Sequence, residues 1–467
     1  MNRTPPNQKT AVSVVFVATM FMYILDSTVV NVALPTLRGD FHTSTASVSS
    51  VVSGYLVTLA VAMPAAAWLG DRYGGKRVLL AALAVFTVAS TLCGLAPSLP
   101  ELVAFRALQG IAAGISLPVG TAMLYRTFPP AERIRATRVL MVPTLIAPAL
   151  GPVLGGLLVD QLSWRWIFYV NVPVGAVALT FGLRYLAAQP EEAPGRFDLP
   201  GFLLVGAGFP LALYTLTDGA EAGWGSPPIV AAGLAALVLL GAFVAVEQRA
   251  AAPLLRLRLL AHRPYRVANL VMVVGGGAFL GTLFLVPLFL QNGLGFNPLN
   301  SGLSTCTEAI GGIIGIQASS ALFPRTGPRP LMTGGLAGAA CAVAVMAVVG
   351  PSAARWAIPA LMFLTGMGFG CAMAPGQATS LATISRAETA QATTLTSVMR
   401  QAGSAVGVAL VATCLAAMHP VRLDLTGYHV SFGIAAAAMV AGACAGWRVR
   451  RADALPAMAP RPEALAA

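Results

Sequence analysis

Two carboxylates stand inside long apolar runs of this 467-residue chain, and their positions need an explanation. Asp26 lies in FMYILDSTVVNVALPTL, residues 21–37, and Glu308 lies in a second apolar run. A third run contains Arg106. A charged side chain at the centre of a bilayer costs about 2.5–3.5 kcal/mol on insertion scales, so residues of this kind usually have a functional role.

The chemistry available to these residues is proton exchange. Burial raises the pKa of a carboxyl group and a nearby cation lowers it, so an acid beside an arginine can switch form when its surroundings alternate between wet and dry. We predict that Asp26 binds an exchangeable proton and that Arg106 tunes its pKa. Glu308 is predicted to bind a second proton or a substrate, with Asn31 and Gln109 as further polar candidates. A static ion pair or helix cap at Asp26, and a structural Glu308, are the alternatives.

The composition is that of a membrane protein that crosses the bilayer many times. The chain is 57% hydrophobic and 10% charged, with a mean hydropathy of +0.77, whereas soluble domains are about 25% charged. The net charge of +12 could suggest a nucleic-acid partner. The basic residues fall between apolar runs instead, as the positive-inside rule expects, and we predict no nucleic-acid binding.

No cofactor or metal site is predicted. The six cysteines all lie in apolar runs without a CxxC pair, and the four histidines are scattered near the ends of these runs. A phosphate-binding GxxxxGK[ST] loop is absent from the sequence. The few intramembrane charges are too sparse for hydrolytic chemistry, so we do not expect an enzyme.

A helix needs about 20 apolar residues to cross the hydrocarbon core. Fourteen such spans are predicted, at residues 11–35, 46–68, 78–96, 101–125, 138–160, 164–187, 199–217, 228–246, 267–290, 300–323, 331–350, 354–378, 395–418 and 429–447. With both termini in the cytoplasm, the outer segments hold only Arg38, Arg165, Arg355 and Arg422 of the 29 basic residues. This asymmetry predicts the orientation.

An internal repeat relates the two ends of the chain. LGDRYGGKR (69–77) resembles LFPRTGPRP (322–330), so that Arg72 matches Arg325, Gly74 matches Gly327 and Lys76 matches Arg329. Further matches, in the same order and at nearly constant separation, are GIAAGISLP (110–118) with GMGFGCAMAP (366–375), and AERIRA (131–136) with AETAQA (387–392). Spans 1–6 therefore correspond to spans 9–14.

The repeat predicts four regions, with two inserted spans between the halves. They are an N-terminal six-helix half (1–187), a linker with spans 7 and 8 (188–263), a C-terminal six-helix half (264–447) and a cytoplasmic tail (448–467). Spans 7 and 8 carry no internal charge, so they are expected to pack outside the halves or at the interface between them. Two six-helix halves are the plan of many secondary transporters, which bind substrate near the membrane midplane.

Four motifs carry a resemblance to a known family. They are LDSTVVNVALP (25–35), LGDRYGGKR (69–77), RALQGIAAG (106–114) and PALGPVLGG (148–156). With them the chain resembles the major facilitator superfamily, in its fourteen-span drug:proton antiporter branch of the EmrB/QacA type. The resemblance implies an all-α membrane fold of two six-helix halves plus two inserted helices.

The resemblance also implies a function. We expect a monomeric, multi-pass protein of the bacterial cytoplasmic membrane that exports small lipophilic compounds, such as antibiotics, in exchange for protons by alternating access. The proton gradient would drive it without a cofactor. An exporter of one specific metabolite and a proton-independent uniporter are alternatives, and a membrane sensor or scaffold is a remote one.

The loop motif contributes a predicted cytoplasmic gate of Asp71, Arg72, Gly74 and Lys76. Gly74 permits a tight turn, Asp71 can accept hydrogen bonds from an arginine or a helix N-terminus, and the family implies a latch that closes the inner side. The alternative is that the basic residues only fix the topology.

The span-5 motif contributes a predicted hinge. Gly151, Gly155 and Gly156 leave a smooth face for close helix approach, and Pro148 and Pro152 remove backbone hydrogen bonds and so bend a helix. Plain small-residue packing is the alternative.

The segment WRWIFYVNVPVG (164–175) begins span 6. Its tryptophans and tyrosine are interpreted as an aromatic belt at the outer interface.

Overall fold

A computed structural model describes residues 7–129, 132–188, 195–250, 252–296, 298–418 and 425–458. Its regular structure within these ranges is helical, without strands. The α-helices are α1 (Gln8–Asp40), α2 (Thr45–Ala62), α3 (Ala66–Tyr73), α4 (Gly75–Leu95), α5 (Leu99–Thr127), α6 (Arg133–Gln161), α7 (Trp166–Tyr169), α8 (Asn171–Tyr185), α9 (Leu199–Ala222), α10 (Pro227–Arg249), α11 (Arg263–Leu288), α12 (Pro298–Thr326), α13 (Pro328–Met346), α14 (Pro351–Ser380), α15 (Thr389–Ala417), α16 (Thr426–Gly446) and α17 (Leu455–Met458).

Thirteen helical segments of the described chain are long and apolar enough to cross a membrane. Helices α2 and α3 form one of them, because the 3-10 turn Met63–Ala65 joins the two without a break. Helix α6 covers the remaining predicted span, 138–160, but is not among the thirteen. The count of fourteen and the cytoplasmic position of the termini therefore stay predictions.

Two turns of the repeat each have a glycine with a positive φ. Gly74 ends α3 with φ +83°, and Gly327 separates α12 from α13 with φ +79°. Both values lie in the left-handed region, where glycine has no steric penalty. We call the end of the bundle with these turns the inner end, because the charge pattern assigns it to the cytoplasm.

Helices α9 and α10, which cover the predicted inserted spans 7 and 8, form a hairpin that contacts helices from both ends of the chain. Helix α9 contacts α2 from the first part of the chain and α15 from the last part, while α10 packs mainly on α9. Trp224, beyond α9, donates a hydrogen bond to the Thr413 hydroxyl of α15 at 3.1 Å. The hairpin thus covers the seam between α2 and α15.

Candidate functional site

Three helices bring a buried acid, a buried base and an amide together. Arg106 Nη1 of α5 lies 2.5 Å from Asp26 Oδ2 of α1, and both side chains are fully buried. The other carboxylate oxygen accepts from Asn171 Nδ2 of α8 at 2.9 Å and from Gln109 Nε2 at 3.4 Å. The carboxylate is held by three donors, as a buried charge requires.

Arg106 is itself fixed by several partners. Its Nη1 also donates to Gln109 Oε1 at 2.9 Å, and its Nε donates to the Val51 carbonyl of α2 at 3.2 Å. The guanidinium lies over the Tyr55 ring, 4.3 Å from the centroid, which adds a cation–π contact. Its Nη2 has no hydrogen-bond partner in the described part of the chain.

Helix α4 completes this cluster from behind. Ser90 accepts a hydrogen bond from Asn171 at 3.1 Å and donates to the Phe168 carbonyl at 2.9 Å. We call Asp26, Arg106, Gln109, Asn171 and Ser90 the Asp26 network. Sequence reasoning brought forward the first three and missed Asn171 and Ser90. An asparagine inside an apolar run is the signal that could have found Asn171.

The aromatic segment before α8 departs from its sequence interpretation. Trp164 is only 2% exposed, and its indole N–H donates to Asp40 at 2.7 Å. Trp166 is 47% exposed and fits an interfacial position. A belt position therefore suits Trp166, whereas Trp164 is a buried side chain that ties this segment to the end of α1.

Glycines place the arginine helix against α2. A Cβ on Gly110 would stand 2.3 Å from the Tyr55 carbonyl oxygen, and one on Gly114 would stand 2.2 Å from the Leu59 carbonyl oxygen. Small residues allow helices in a membrane to approach this closely. The close approach explains how Arg106, one turn earlier, reaches the backbone of α2.

Helix α6 touches α1 just beyond Asp26. A Cβ on Gly151 would lie 2.1 Å from Thr28 Oγ1, and one on Gly155 would lie 3.2 Å from the Val29 carbonyl oxygen. Gly156 has no neighbouring atom within 4 Å of that position, so it takes no part in the contact. The side chains of Pro148 and Pro152 lie outside the described residues, and the backbone of α6 is helical through both.

Two predicted site residues stand apart from the Asp26 network. Asn31 is exposed and donates to the Ser27 carbonyl of its own helix at 3.2 Å. Glu308 of α12 is 6% exposed, and its Oε1 has no hydrogen-bond partner among the described residues. No hydrogen bond within those residues joins Glu308 to the network.

At the inner end, a salt bridge joins α3 to α5. Asp71 Oδ1 accepts from Arg126 Nη2 at 2.9 Å. Arg126 also contacts the loop between α14 and α15, where its Nε lies 3.3 Å from the Arg386 carbonyl and its Nη2 lies 3.5 Å from the Ala387 carbonyl. Asp71 thus holds an arginine that bridges to the loop between α14 and α15, and Arg126 is a gate residue that sequence reasoning did not single out.

The other predicted gate residues have different surroundings. Lys76 Nζ donates to the Leu186 carbonyl at 2.5 Å and to the Leu183 carbonyl at 3.3 Å, so it caps the end of α8. Gly74 forms the turn between α3 and α4, and Arg72 is exposed. Of the four, Asp71 alone binds the arginine that reaches the loop between α14 and α15.

The membrane-length helices and the buried acid–base network together identify the chain as a multi-pass membrane protein. Residues 16–408 match the sequence model of the Major Facilitator Superfamily, and the chain belongs to that family. The predicted membership and all-α fold are thereby confirmed. The chain is a transporter rather than an enzyme, and it is a multi-pass protein of the cytoplasmic membrane.

Its relatives include resistance proteins of actinobacteria. The multidrug resistance protein B homolog of Mycobacterium tuberculosis is 32% identical over 398 residues, 84% of this chain and 73% of that protein. The puromycin resistance protein pur8 of Streptomyces alboniger is 33% identical over 406 residues, 86% of this chain and 80% of that protein. The crystal structure of the human organic anion transporter MFSD10 superposes with a TM-score of 0.67 at 15% identity, over 94% of this chain and 100% of the other, which shows a shared fold.

Proposed function

We propose that this protein exports small lipophilic drugs or antibiotics across the cytoplasmic membrane in exchange for protons, by alternating access. The multidrug and puromycin resistance relatives support the class of cargo. The buried Asp26 network carries the proposal of proton coupling. Its carboxylate is fully buried and is held by three donors, and a passive pore would not require such a group. The proposed working unit is a monomer without a cofactor.

In the proposed cycle, Asp26 is the proton acceptor. Protonation removes the charge that pairs with Arg106, while Arg106 keeps its bonds to Gln109 and Val51. Because α6 touches α1 at Thr28, within one turn of Asp26, a rearrangement of the pair reaches the helix that carries the span-5 motif. Gly151 and Gly155 of α6 are proposed as the place where the two helices slide.

The inner end is proposed as the gate. In the conformation described here, Arg126 is held by Asp71 and closes the gate against the Arg386 and Ala387 carbonyls. Several buried polar atoms of α6, α14 and α15 have no hydrogen-bond partner among the described residues, and burying such atoms costs about 1–3 kcal/mol each. They belong to Arg133 of α6, Gln377 of α14, and Gln391 and Thr394 of α15. Because these atoms could bond to water if the helices separated, their burial favours opening of this end, which supports the proposal of alternating access.

Glu308 is proposed as a second site, for a proton or for cationic cargo. Burial of a charged carboxylate without a partner is costly, so Glu308 is expected to be neutral in this conformation. The proton gradient suffices for the work. About 100 mV supplies roughly 2.3 kcal/mol per proton and one pH unit about 1.4 kcal/mol, enough for a several-hundred-fold gradient of a neutral substrate exchanged one for one.

The test measures proton movement that depends on substrate. Purified protein is reconstituted in vesicles with a trapped pH dye, and puromycin, a cationic dye and a neutral drug are added in turn. Wild type is compared with Asp26→Asn and with Asp160→Asn, a matched control at an exposed acid near the end of α6. We expect substrate-dependent proton movement in wild type and Asp160→Asn, and its loss in Asp26→Asn.

The other outcomes separate the alternatives. Substrate flux without proton movement in all three proteins would make the protein a uniporter and Asp26 a structural acid. Movement with only one substrate of the panel would favour an exporter of a specific metabolite. Retention of full proton-driven export by Asp26→Asn would refute the coupling role.

A further inference from the structure

A basic cavity opens at the inner end of the bundle, beside the starts of α11 and α13 and the end of α16. Its volume is about 480 Å³. The lining residues are five arginines and three apolar side chains, Arg263, Arg266, Arg329, Arg448, Arg450, Val267, Leu270 and Trp447. No carboxylate lines it in the described part of the chain, so it concentrates positive charge at the level of the membrane surface.

Most of this charge is not neutralised. Arg263 pairs with Asp453 at 3.0 Å and also donates to the Arg448 carbonyl. Arg329 lies over the Trp447 ring, 4.6 Å from the centroid. Among the described residues, no carboxylate comes within salt-bridge distance of Arg266, Arg329 or Arg448. Arg266 donates to the Leu260 carbonyl at 3.2 Å, but the charge of these three guanidinium groups is not paired with a carboxylate of the described residues and is available to an anion.

An apolar groove continues from the basic cavity. It runs between α11 and α15, has a volume of about 550 Å³, and shares Arg266 and Leu270 with the cavity. Its farther lining includes Val274, Ala278 and Val406. From Arg266 to Ala278 the helix rises about 18 Å at 1.5 Å per residue, close to half of the roughly 30 Å hydrocarbon core.

The matching place in the first half is already filled by protein contacts. Lys76, the repeat counterpart of Arg329, donates to the carbonyls that end α8. Lys9 at the start of α1 pairs with Glu132 at 2.9 Å. Among the described residues, Lys76 is thus held by backbone carbonyls, whereas its counterpart Arg329 lies in the cavity over Trp447.

We propose that the cavity and the groove together bind one anionic phospholipid of the inner leaflet. The phosphate would lie among Arg266, Arg329 and Arg448, and one acyl chain would lie in the groove toward Val406. Guanidinium groups bind phosphate through two parallel hydrogen bonds, and basic pockets between membrane helices on the cytoplasmic side suit anionic lipid heads. The Trp447 ring, 64% exposed, suits the interface. This site does not depend on the proposed export function.

The test is retention of lipid by the purified full-length protein. The protein is equilibrated with equal amounts of phosphatidylglycerol and phosphatidylcholine of the same chain length, and bound lipid is counted by native mass spectrometry. We expect wild type to retain phosphatidylglycerol about tenfold in preference. Arg266→Gln with Arg448→Gln should bring this preference close to parity. Arg196→Gln with Arg258→Gln removes the same charge elsewhere at the inner end and should keep the preference.

Two further arms test the lipid itself. Val406→Trp fills the groove and should lower phosphatidylglycerol retention severalfold with every arginine in place. Arg266→Lys with Arg448→Lys keeps the charge and controls for folding, and should retain most of the preference. Equal loss in both glutamine pairs, no effect of Val406→Trp, or complete displacement of the lipid by inorganic phosphate would overturn the proposal.

Discussion

The two halves of the bundle are built on the same helix contact. In the first half, a Cβ on Gly110 of α5 would stand 2.3 Å from the Tyr55 carbonyl oxygen of α2. In the second half, a Cβ on Gly366 of α14 would stand 2.0 Å from the Glu308 carbonyl oxygen of α12. Gly110 and Gly366 are counterparts in the sequence repeat, so Tyr55 and Glu308 occupy the same place.

The next turn repeats the correspondence. A Cβ on Gly114 would be 2.2 Å from the Leu59 carbonyl oxygen, and a Cβ on Gly370 would be 2.3 Å from the Gly312 carbonyl oxygen. Both helix pairs therefore approach backbone to backbone at two successive turns. The scaffold is set by small residues, which both halves retain.

The chemistry on this scaffold differs. One turn before Gly110 stands Arg106, whose counterpart before Gly366 is Met362, 1% exposed in an apolar cluster. The first half thus carries a charge network around Asp26, whereas at the matching level the second half carries Glu308, without a cation partner in the described residues. Because the two halves share a scaffold but carry different polar side chains on it, each half can respond to a different ligand.

The largest expected effect comes from making the first half resemble the second. Arg106→Met leaves Asp26 buried without its cation. Removing one partner of a buried ion pair lowers the free energy of unfolding by about 3–5 kcal/mol. We expect a marked fall in the thermal midpoint of the purified protein and loss of substrate-triggered proton movement in vesicles.

A double variant separates stability from transport. Asp26→Asn with Arg106→Met removes both charges, so it should recover much of the stability while transport stays absent. If Arg106→Met kept wild-type stability, the ion pair would not be what holds α1 to α5. If the double variant regained proton movement, the coupling role of the pair would be wrong.

The next effect tests the scaffold that the halves share. Gly110→Ala and Gly366→Ala each push a methyl group into a backbone carbonyl, and overpacking of this kind costs about 1–3 kcal/mol. We expect similar falls in thermal midpoint for the two variants. Gly156→Ala, where space is open, should behave as wild type. A large difference between Gly110→Ala and Gly366→Ala would mean that the two contacts are not equivalent.

The sequence was sufficient for the fold and for the centre of the network. Charges inside apolar runs are rare, so Asp26 and Arg106 could be singled out and paired from the repeat and the motifs. Asn171 offers only the weaker signal of an asparagine in an apolar run, and Ser90 offers none, because polar uncharged residues in a span often bond only to their own helix. Asn31 is an example of that behaviour, with its amide on the Ser27 carbonyl.

The gate shows a second limit of sequence reasoning. The motif indicates that Asp71 needs a cationic partner, but several arginines lie near the inner end, and only the packing of α3 beside α5 selects Arg126. In the same way, nothing in the spacing indicates that Lys76 reaches the end of α8. Such pairings depend on which helices are neighbours.

The latch is a further difference between the halves, and it predicts a smaller effect. Asp71 has Pro324 as its counterpart in the repeat, so the second half has no acid at this position of the loop motif. Arg126→Gln breaks a largely buried salt bridge, with side chains 10% and 9% exposed, and we expect a loss of about 1 kcal/mol or more, equivalent to at least a severalfold shift between closed and open gates. The measurement is the rate at which a maleimide labels Ala390→Cys from the inner side, with the six native cysteines replaced by alanine.

The matched control for the latch is Arg72→Gln, which removes an equal charge from an exposed position in the same motif. Its labelling rate should stay at the wild-type value. Equal acceleration in both variants would indicate a general effect of surface charge rather than a latch at Asp71.

The smallest expected change in stability is at Glu308, and it sharpens the contrast with Asp26. Glu308→Gln replaces a buried carboxyl, which has no cation to lose, by an amide of the same size, so we expect the free energy of unfolding to stay within about 0.5 kcal/mol of wild type. Asp26→Asn should be far more damaging, because it leaves Arg106 buried and unpaired. Export of cationic cargo by Glu308→Gln should fall relative to neutral cargo in the vesicle assay. A stability loss above about 1 kcal/mol would mean that Glu308 is charged and has a partner, and the acids of the two halves would then act alike.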